Sequence, residues 1–312
     1  MIELYKVRTF SDKLSDTIDF IRDNWRPLMK YLTYVMLPAS IVLAFFFNHF
    51  WHGYMSLIQN NFSQEGLVSF LLNSGVTTLL FIFTYILLGA MLFALIRLYR
   101  ERDGELHSLT YDELRPQFMA CLKRAATLAA VGVLVAIGVL AVIIIIVAIV
   151  GAVDSGLALL FFMLSYIVLI IFIPPLMLLQ PVYLIEDGIG FFAALAKALR
   201  LGFQTWGGIV AVTFVIGLLT SILQIATSLP WYVMFIVKTI FTVSNDLEGG
   251  FVNSFGFTIL EYLSCILQVI GMLLSSAITL VAITIQYGHA AELIDGMGTT
   301  ESIEHFDELD NV

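Results

Sequence analysis

At 312 residues, 60% hydrophobic and only 12% charged, with a mean hydropathy of +0.95, the chain is too apolar for a soluble domain, where charged residues run near 25%. Its formal net charge of −9 does not describe an acidic surface awaiting a cationic partner, because Glu292, Asp295, Glu301, Glu304, Asp307, Glu308 and Asp310 crowd a tail without one Lys or Arg. Nucleic acid is excluded as a partner, since the Lys and Arg residues are interleaved with Asp and Glu rather than gathered on a basic face.

Fourteen of the fifteen Lys and Arg residues fall within 6–30, 97–124 and 197–200, and only Lys238 stands apart. Loops on the cytoplasmic side of a bilayer retain Lys and Arg, so this spacing places all three clusters, and with them the N-terminus, inside. Crossing about 30 Å of hydrocarbon takes roughly twenty apolar residues. Six segments qualify: approximately 29–50, 75–98, 125–150, 157–180, 207–229 and 255–287. The expected fold is an all-α membrane protein of one domain, its six transmembrane helices arranged as three hairpins, each preceded by a cytoplasmic amphipathic interfacial helix.

The first amphipathic helix, within 1–28, places Leu14, Ile18, Ile21, Trp25 and Leu28 on one stripe, with Pro27 opening the first span. Asp12, Asp16, Asp19 and Asp23 outnumber Lys13, Arg22 and Arg26, so it is a collar in the interface or against the bundle rather than an electrostatic lipid sensor. No short apolar run with a cleavage site precedes it, and no cleavage is expected. His49 and His52 close the first span one turn apart. With no further His or Cys on that side to complete a zinc site, they read as interfacial side chains.

The second span ends at Asp103-Gly104, the fourth at Asp187-Gly188 and the sixth at Asp295-Gly296, where glycine suits a left-handed helix-closing residue. A middle amphipathic segment carries Leu114, Phe118 and Leu122 around Pro116, expected at a first helical position. Asp154-Ser155-Gly156 joins the third and fourth spans as a tight hairpin. The third amphipathic helix has its stripe at Phe192, Leu195, Leu199, Phe203 and Trp206, and together the three form a weak internal repeat. Residues 230–243 are too short to span and carry Lys238. They are expected to lie as an interfacial or re-entrant outer helix anchored by Trp231 and Tyr232, leaving 288–312 as an acidic cytoplasmic tail; the alternative is a seventh span, which would put that tail outside. Trp25, Trp206 and Trp231 are the expected interfacial anchors. Cys121 and Cys265 fall at different depths and form no disulfide.

The last two spans carry polar stripes: Glu261, Ser264, Gln268, Gly271, Ser275, Thr279, Ala282 and Gln286 on one, and Thr213, Gly217, Ser221, Gln224 and Ser228 on the other. Small and polar residues let membrane helices approach and hydrogen-bond, so mutual packing is the first reading and a polar pathway the second. Glu261 is the sharpest candidate, because an ionisable group within a span is by default functional. No phosphate loop, H-E-x-x-H helix or G-x-S-x-G elbow occurs, and no cofactor or metal is expected.

Residues 181–217 (PVYLIEDGIGFFAALAKALRLGFQTWGGIVAVTFVIG) resemble a recurrent element of a group of bacterial polytopic membrane proteins. In that group an acidic-Gly turn, an Ala-Leu-rich amphipathic helix and an aromatic-Trp pair lead into the next span. The group includes the membrane domain attached to some glycerophosphoryl diester phosphodiesterases. The resemblance implies a six-span protein of the bacterial inner membrane; it carries over no phosphodiesterase activity, because the catalytic domain has no counterpart here.

The functional expectation is therefore a non-catalytic scaffold or accessory protein in contact with membrane lipids, binding a protein partner or lipid-related enzyme at its cytoplasmic face. The alternative is a small-solute or ion transporter in which Glu261, Gln224 and Gln268 line a shared wet cavity, with Ser264 and Ser275 on the same face.

Overall fold

A computed structural model describes residues 2–59, 62–102, 104–243, 251–252 and 254–298. They are helical, without a strand among them: α1 (Phe10–Asp23), α2 (Trp25–Gln59), α3 (Gln64–Glu101), α4 (Tyr111–Gly151), α5 (Ser155–Met177), α6 (Leu179–Ile185), α7 (Phe191–Gln204), α8 (Trp206–Val243) and α9 (Phe255–Asp295). Six helical stretches among them are long and apolar enough to cross a membrane, as the sequence predicts. Asp103 and the tail acids Glu301, Glu304, Asp307, Glu308 and Asp310 lie outside the described residues.

Local chemistry sets the helix ends. Thr9 and Asp12 close a reciprocal capping box before α1, and Thr110 and Glu113 close another before α4. Asp154 caps α5 by accepting the Leu157 amide at 2.9 Å, so α4 and α5 form the expected hairpin and pack on each other. Gly104, Gly188 and Gly296 all have positive φ, at 90°, 72° and 60°, the conformation expected of them after the even-numbered spans.

Expected and observed elements differ at three places. Residues 230–243 form no separate outer segment: α8 continues through Pro230 to Val243, because Trp231 and Phe235 pack into a core and hold the chain helical. The middle amphipathic helix is not separate either. It is fused into α4, which begins at Tyr111, so Pro116 lies inside the helix rather than at its first position. Trp231 is 1% exposed, a core residue and not an interfacial anchor.

The other two amphipathic helices correspond residue for residue. α1 and α7 are both 14 residues long and lie at a constant displacement of 181 residues; Trp25 and Trp206 then open α2 and α8 at the same displacement. In each, one face meets the protein: Lys13, Thr17, Phe20 and Asn24 in one, Ala194, Ala198, Leu201 and Thr205 in the other. Of the apolar stripe, Ile18, Trp25 (56%), Phe192 (79%) and Phe203 are exposed, and Leu14, Ile21, Leu195, Leu199 and Trp206 are half-open. Over α1 and α7 these residues are thus turned away from the bundle, whereas Leu28, the last of the first expected stripe, is buried at 5% exposure.

The chain separates into two compact units. One comprises Met1–Trp25, Phe93–Ile216 and Leu280–Val312; the other, Arg26–Leu92 and Gly217–Thr279. In the first, α7 lies so close on α5 that a Cβ on Gly202 would fall 2.4 Å from the Pro175 Cα. The second is built on Ala44, Trp231 and Cys265, ringed by Phe47, Trp51, Phe235, Tyr262 and Ile266.

Candidate functional site

Within the second unit, three helices bring an ionisable side chain to one point. Glu261 of α9, its side chain 1% exposed, has Oε2 2.7 Å from Lys238 Nζ of α8 and Oε1 2.9 Å from His52 Nε2 of α2. Lys238 Nζ lies 3.1 Å from that same His52 nitrogen. Each residue sits within about two turns of a helix end, where its backbone leaves the bundle.

The two contacts of His52 Nε2 make opposite demands. Protonated, it donates to the carboxylate and has no lone pair for the ammonium; unprotonated, it accepts from Lys238 and has nothing to give Glu261. The cluster's one buried carboxylate is neutralised by a cation from a neighbouring helix.

Close by in sequence on the same helices are buried polar atoms without hydrogen-bond partners: Asn48 Oδ1 and Trp51 Nε1 on α2, Trp231 Nε1 on α8 and Gln268 Oε1 on α9. Each such group costs about 1–3 kcal/mol. The rings around them are closely packed, with Trp231 stacked on Phe235 at 5.2 Å and Trp51 5.9 Å from Trp231.

The stripe residues of the last two spans divide. Gly271 meets Thr227 so closely that a Cβ there would fall 1.9 Å from the Thr227 hydroxyl oxygen, and Ser275 Oγ donates to the Thr220 carbonyl at 3.3 Å. These contacts join α8 to α9. Gln224 is half-buried and forms no bond with Glu261 or Gln268 among the described residues; Ser264 is half-buried, Gly217 faces open space and Ser221 is exposed. The packed face of α8 uses Thr220 and Thr227, seven residues apart, together with Ser228 of the expected stripe, which is buried. A heptad reading of Thr213, Thr220 and Thr227 would have found it.

His52 and Lys238 were not joined to Glu261 by sequence reasoning. The available signal was that Lys238 is the one Lys or Arg after Arg200, and a lone cation among apolar helices needs a carboxylate.

The first unit holds a separate polar network around the turn at Glu186-Asp187-Gly188. Lys197 Nζ lies 2.7 Å from Glu186, and Tyr287 donates its hydroxyl proton to the same carboxylate. Arg124 donates to the carbonyls of Glu186 and Ile189 at 2.8 and 3.1 Å, and Arg97 reaches Asp187 at 2.5 Å. Lys197 also lies 3.7 Å from Asp295, which Arg200 meets at 2.8 Å. The basic clusters that serve as topology markers in the sequence are here the ties that fix a turn.

Residues 2–9 are tied down beside this network. Ile2 donates its amide to the Tyr99 hydroxyl at 2.9 Å and Arg8 donates its own to His289 Nδ1 at 3.0 Å. The buried Arg8 guanidinium meets Asp16 at 2.6 Å and gathers the carbonyls of Glu3, Leu4 and Lys6. Burial, and then the neighbouring Arg8 charge, push the Lys13 ammonium down to about 8.

Among the described residues no group of three His, Cys, Asp or Glu side chains forms a metal-binding set. Comparison with protein-family models, curated proteins and solved structures finds no match to this chain.

Proposed function

We propose that this is a non-catalytic protein of the bacterial inner membrane, N-terminus in the cytoplasm, that acts as a scaffold or accessory subunit for a partner such as a lipid-related enzyme. One observation carries the reading: the α4–α5 hairpin is bare over most of its length. Leu134 (69%), Ile144, Leu159 and Tyr166 are all exposed, and so is the small-residue pair Gly132 and Ala136. A Cβ on Gly132 or Gly138 would meet nothing within 4 Å, so the surface of α4 has notches into which another membrane helix fits. The Glu186 and Asp187 ties hold the neighbouring turn in place, which supports a docking arm with a fixed base.

The test is a photoreactive amino acid placed at Leu134 or Ile167 in native membranes. A discrete, stoichiometric protein adduct at both positions is expected. Lipid adducts alone, together with solute flux by the purified protein in liposomes, would remove the scaffold reading.

A transporter is the second reading, favoured by the partnerless Asn48, Trp51, Trp231 and Gln268 atoms that share helices with the Glu261 cluster. On that reading Glu261→Gln and Gln268→Leu abolish flux in liposomes while the protein stays folded. Gln224→Leu has a lesser effect, since Gln224 does not join the cluster.

A further inference from the structure

A cavity of about 60 Å³ lies in the first unit, walled by the N-terminal segment (Ile2, Leu4), Phe20 of α1, Ile96 and Tyr99 of α3, and Val281, Thr284 and Ile285 of α9. Its lining is almost wholly apolar. An open slot with such walls suits a hydrocarbon chain better than a sugar or a nucleotide, which need convergent polar groups along the lining.

Two polar groups mark its rim. Arg100 lines the cavity, and its guanidinium pairs with no described residue, unlike Arg8, which is consumed by Asp16 and three carbonyls. The Tyr99 hydroxyl accepts the Ile2 amide and keeps its own proton to donate. Glu3 is the acid on the rim, and its side chain is exposed to solvent. An apolar slot with a spare cation and a spare hydroxyl donor at its mouth, beside a helix whose apolar stripe faces outward, is complementary to an amphiphile with a negative head.

We infer that this cavity is a binding site for an anionic lipid, its carboxylate or phosphate held by Arg100 with Tyr99, and the first methylenes of one acyl chain held between Phe20, Ile96 and Ile285. The rest of the chain runs out of the open side of the slot into the bilayer. Residues 2–4 form one wall, so seating of the N-terminal segment and lipid binding support each other. The site is independent of what covers the α4–α5 hairpin.

The experiment uses full-length protein in detergent, offered in separate arms hexadecanoic acid and phosphatidic acid, each carrying a diazirine near the head end of an acyl chain. After irradiation, adducts are mapped by mass spectrometry. Labelling is expected to concentrate at 96–100 and 281–285. Arg100→Gln should lower it about tenfold, the worth of one charge-assisted hydrogen bond, while Arg115→Gln, which removes an exposed charge elsewhere, should leave it unchanged. Val281→Phe, which fills the slot, should abolish labelling; if that variant does not fold, Thr284→Met serves. Labelling by hexadecanoic acid alone makes the ligand a free fatty acid, and labelling by phosphatidic acid makes it a phospholipid. Equal labelling of the Arg100→Gln and Arg115→Gln proteins, or adducts spread along all spans without enrichment at the slot, would overturn the site.

Discussion

Lys238 and Glu261 stand 2.7 Å apart on adjoining helices, with the carboxylate buried and the ammonium partly open. Breaking a buried pair by removing one partner costs about 3–5 kcal/mol, because the other charge is left uncompensated, whereas replacing both with apolar groups is often neutral. Lys238→Met or Glu261→Leu alone should therefore destabilise the detergent-solubilised protein, at the lower end of that range because Lys238 is partly solvated. The double variant should lie closer to wild type than either single one. Additive losses in thermal unfolding would show that the two side chains do not interact.

Gly271 and Gly217 provide a matched pair of substitutions. Alanine at 271 would drive a Cβ into Thr227, a clash expected to cost about 1–3 kcal/mol. Alanine at 217 meets open space and gains helix propensity, so it should be neutral or stabilising by up to about 1 kcal/mol. Equal effects of the two on unfolding midpoint would refute the close α8–α9 contact.

The Lys13 ammonium, pushed down to about 8 from its ordinary 10.5, gives a pH signature. Its folded-state value is below the unfolded one, so between pH 8 and 10.5 the unfolded chain binds more protons and stability rises with pH. Below 8 both states are protonated and the slope from this residue vanishes. Melting temperature should climb across that window in wild type and lose this component in Lys13→Met; an unchanged slope in the variant would assign the effect elsewhere.

Indole accessibility separates the three tryptophans expected at the interface. In single-tryptophan variants, brominated lipids should quench Trp25 strongly, Trp206 less, since its indole N–H donates to the Ile171 carbonyl at 3.0 Å, and Trp231 least. Strong quenching of Trp231 would contradict its place in the core with Ala44 and Cys265.

What was legible in the sequence is what depends on neighbours a few residues away. The number of spans follows from apolar length, the α4–α5 hairpin from Asp154, and the left-handed glycines from their place after a span. The stripes of α1 and α7 are legible too, but not which way they face, because an apolar stripe suits a protein core and a lipid interface equally. Continuity of α8 through Pro230 depended on Trp231 finding a core. The Glu261 cluster was hidden for a different reason: His52 and Glu261 are 209 residues apart, and no local pattern encodes that pairing. On α8 the packed face holds Ser228 of the expected stripe but takes Thr220 in place of Ser221, a shift of one position that matters on a helix where every residue advances about 100°.

The contact between Arg8 and His289, 281 residues apart, has a consequence for biosynthesis. Residues 2–9 find their resting place against α9, so they must remain unseated while the intervening helices α1 to α8 are delivered to the bilayer. Arrival of α9 is then the event that lets this segment seat, and a chain halted before α9 would leave residues 2–9 without the His289 contact and open to proteolysis.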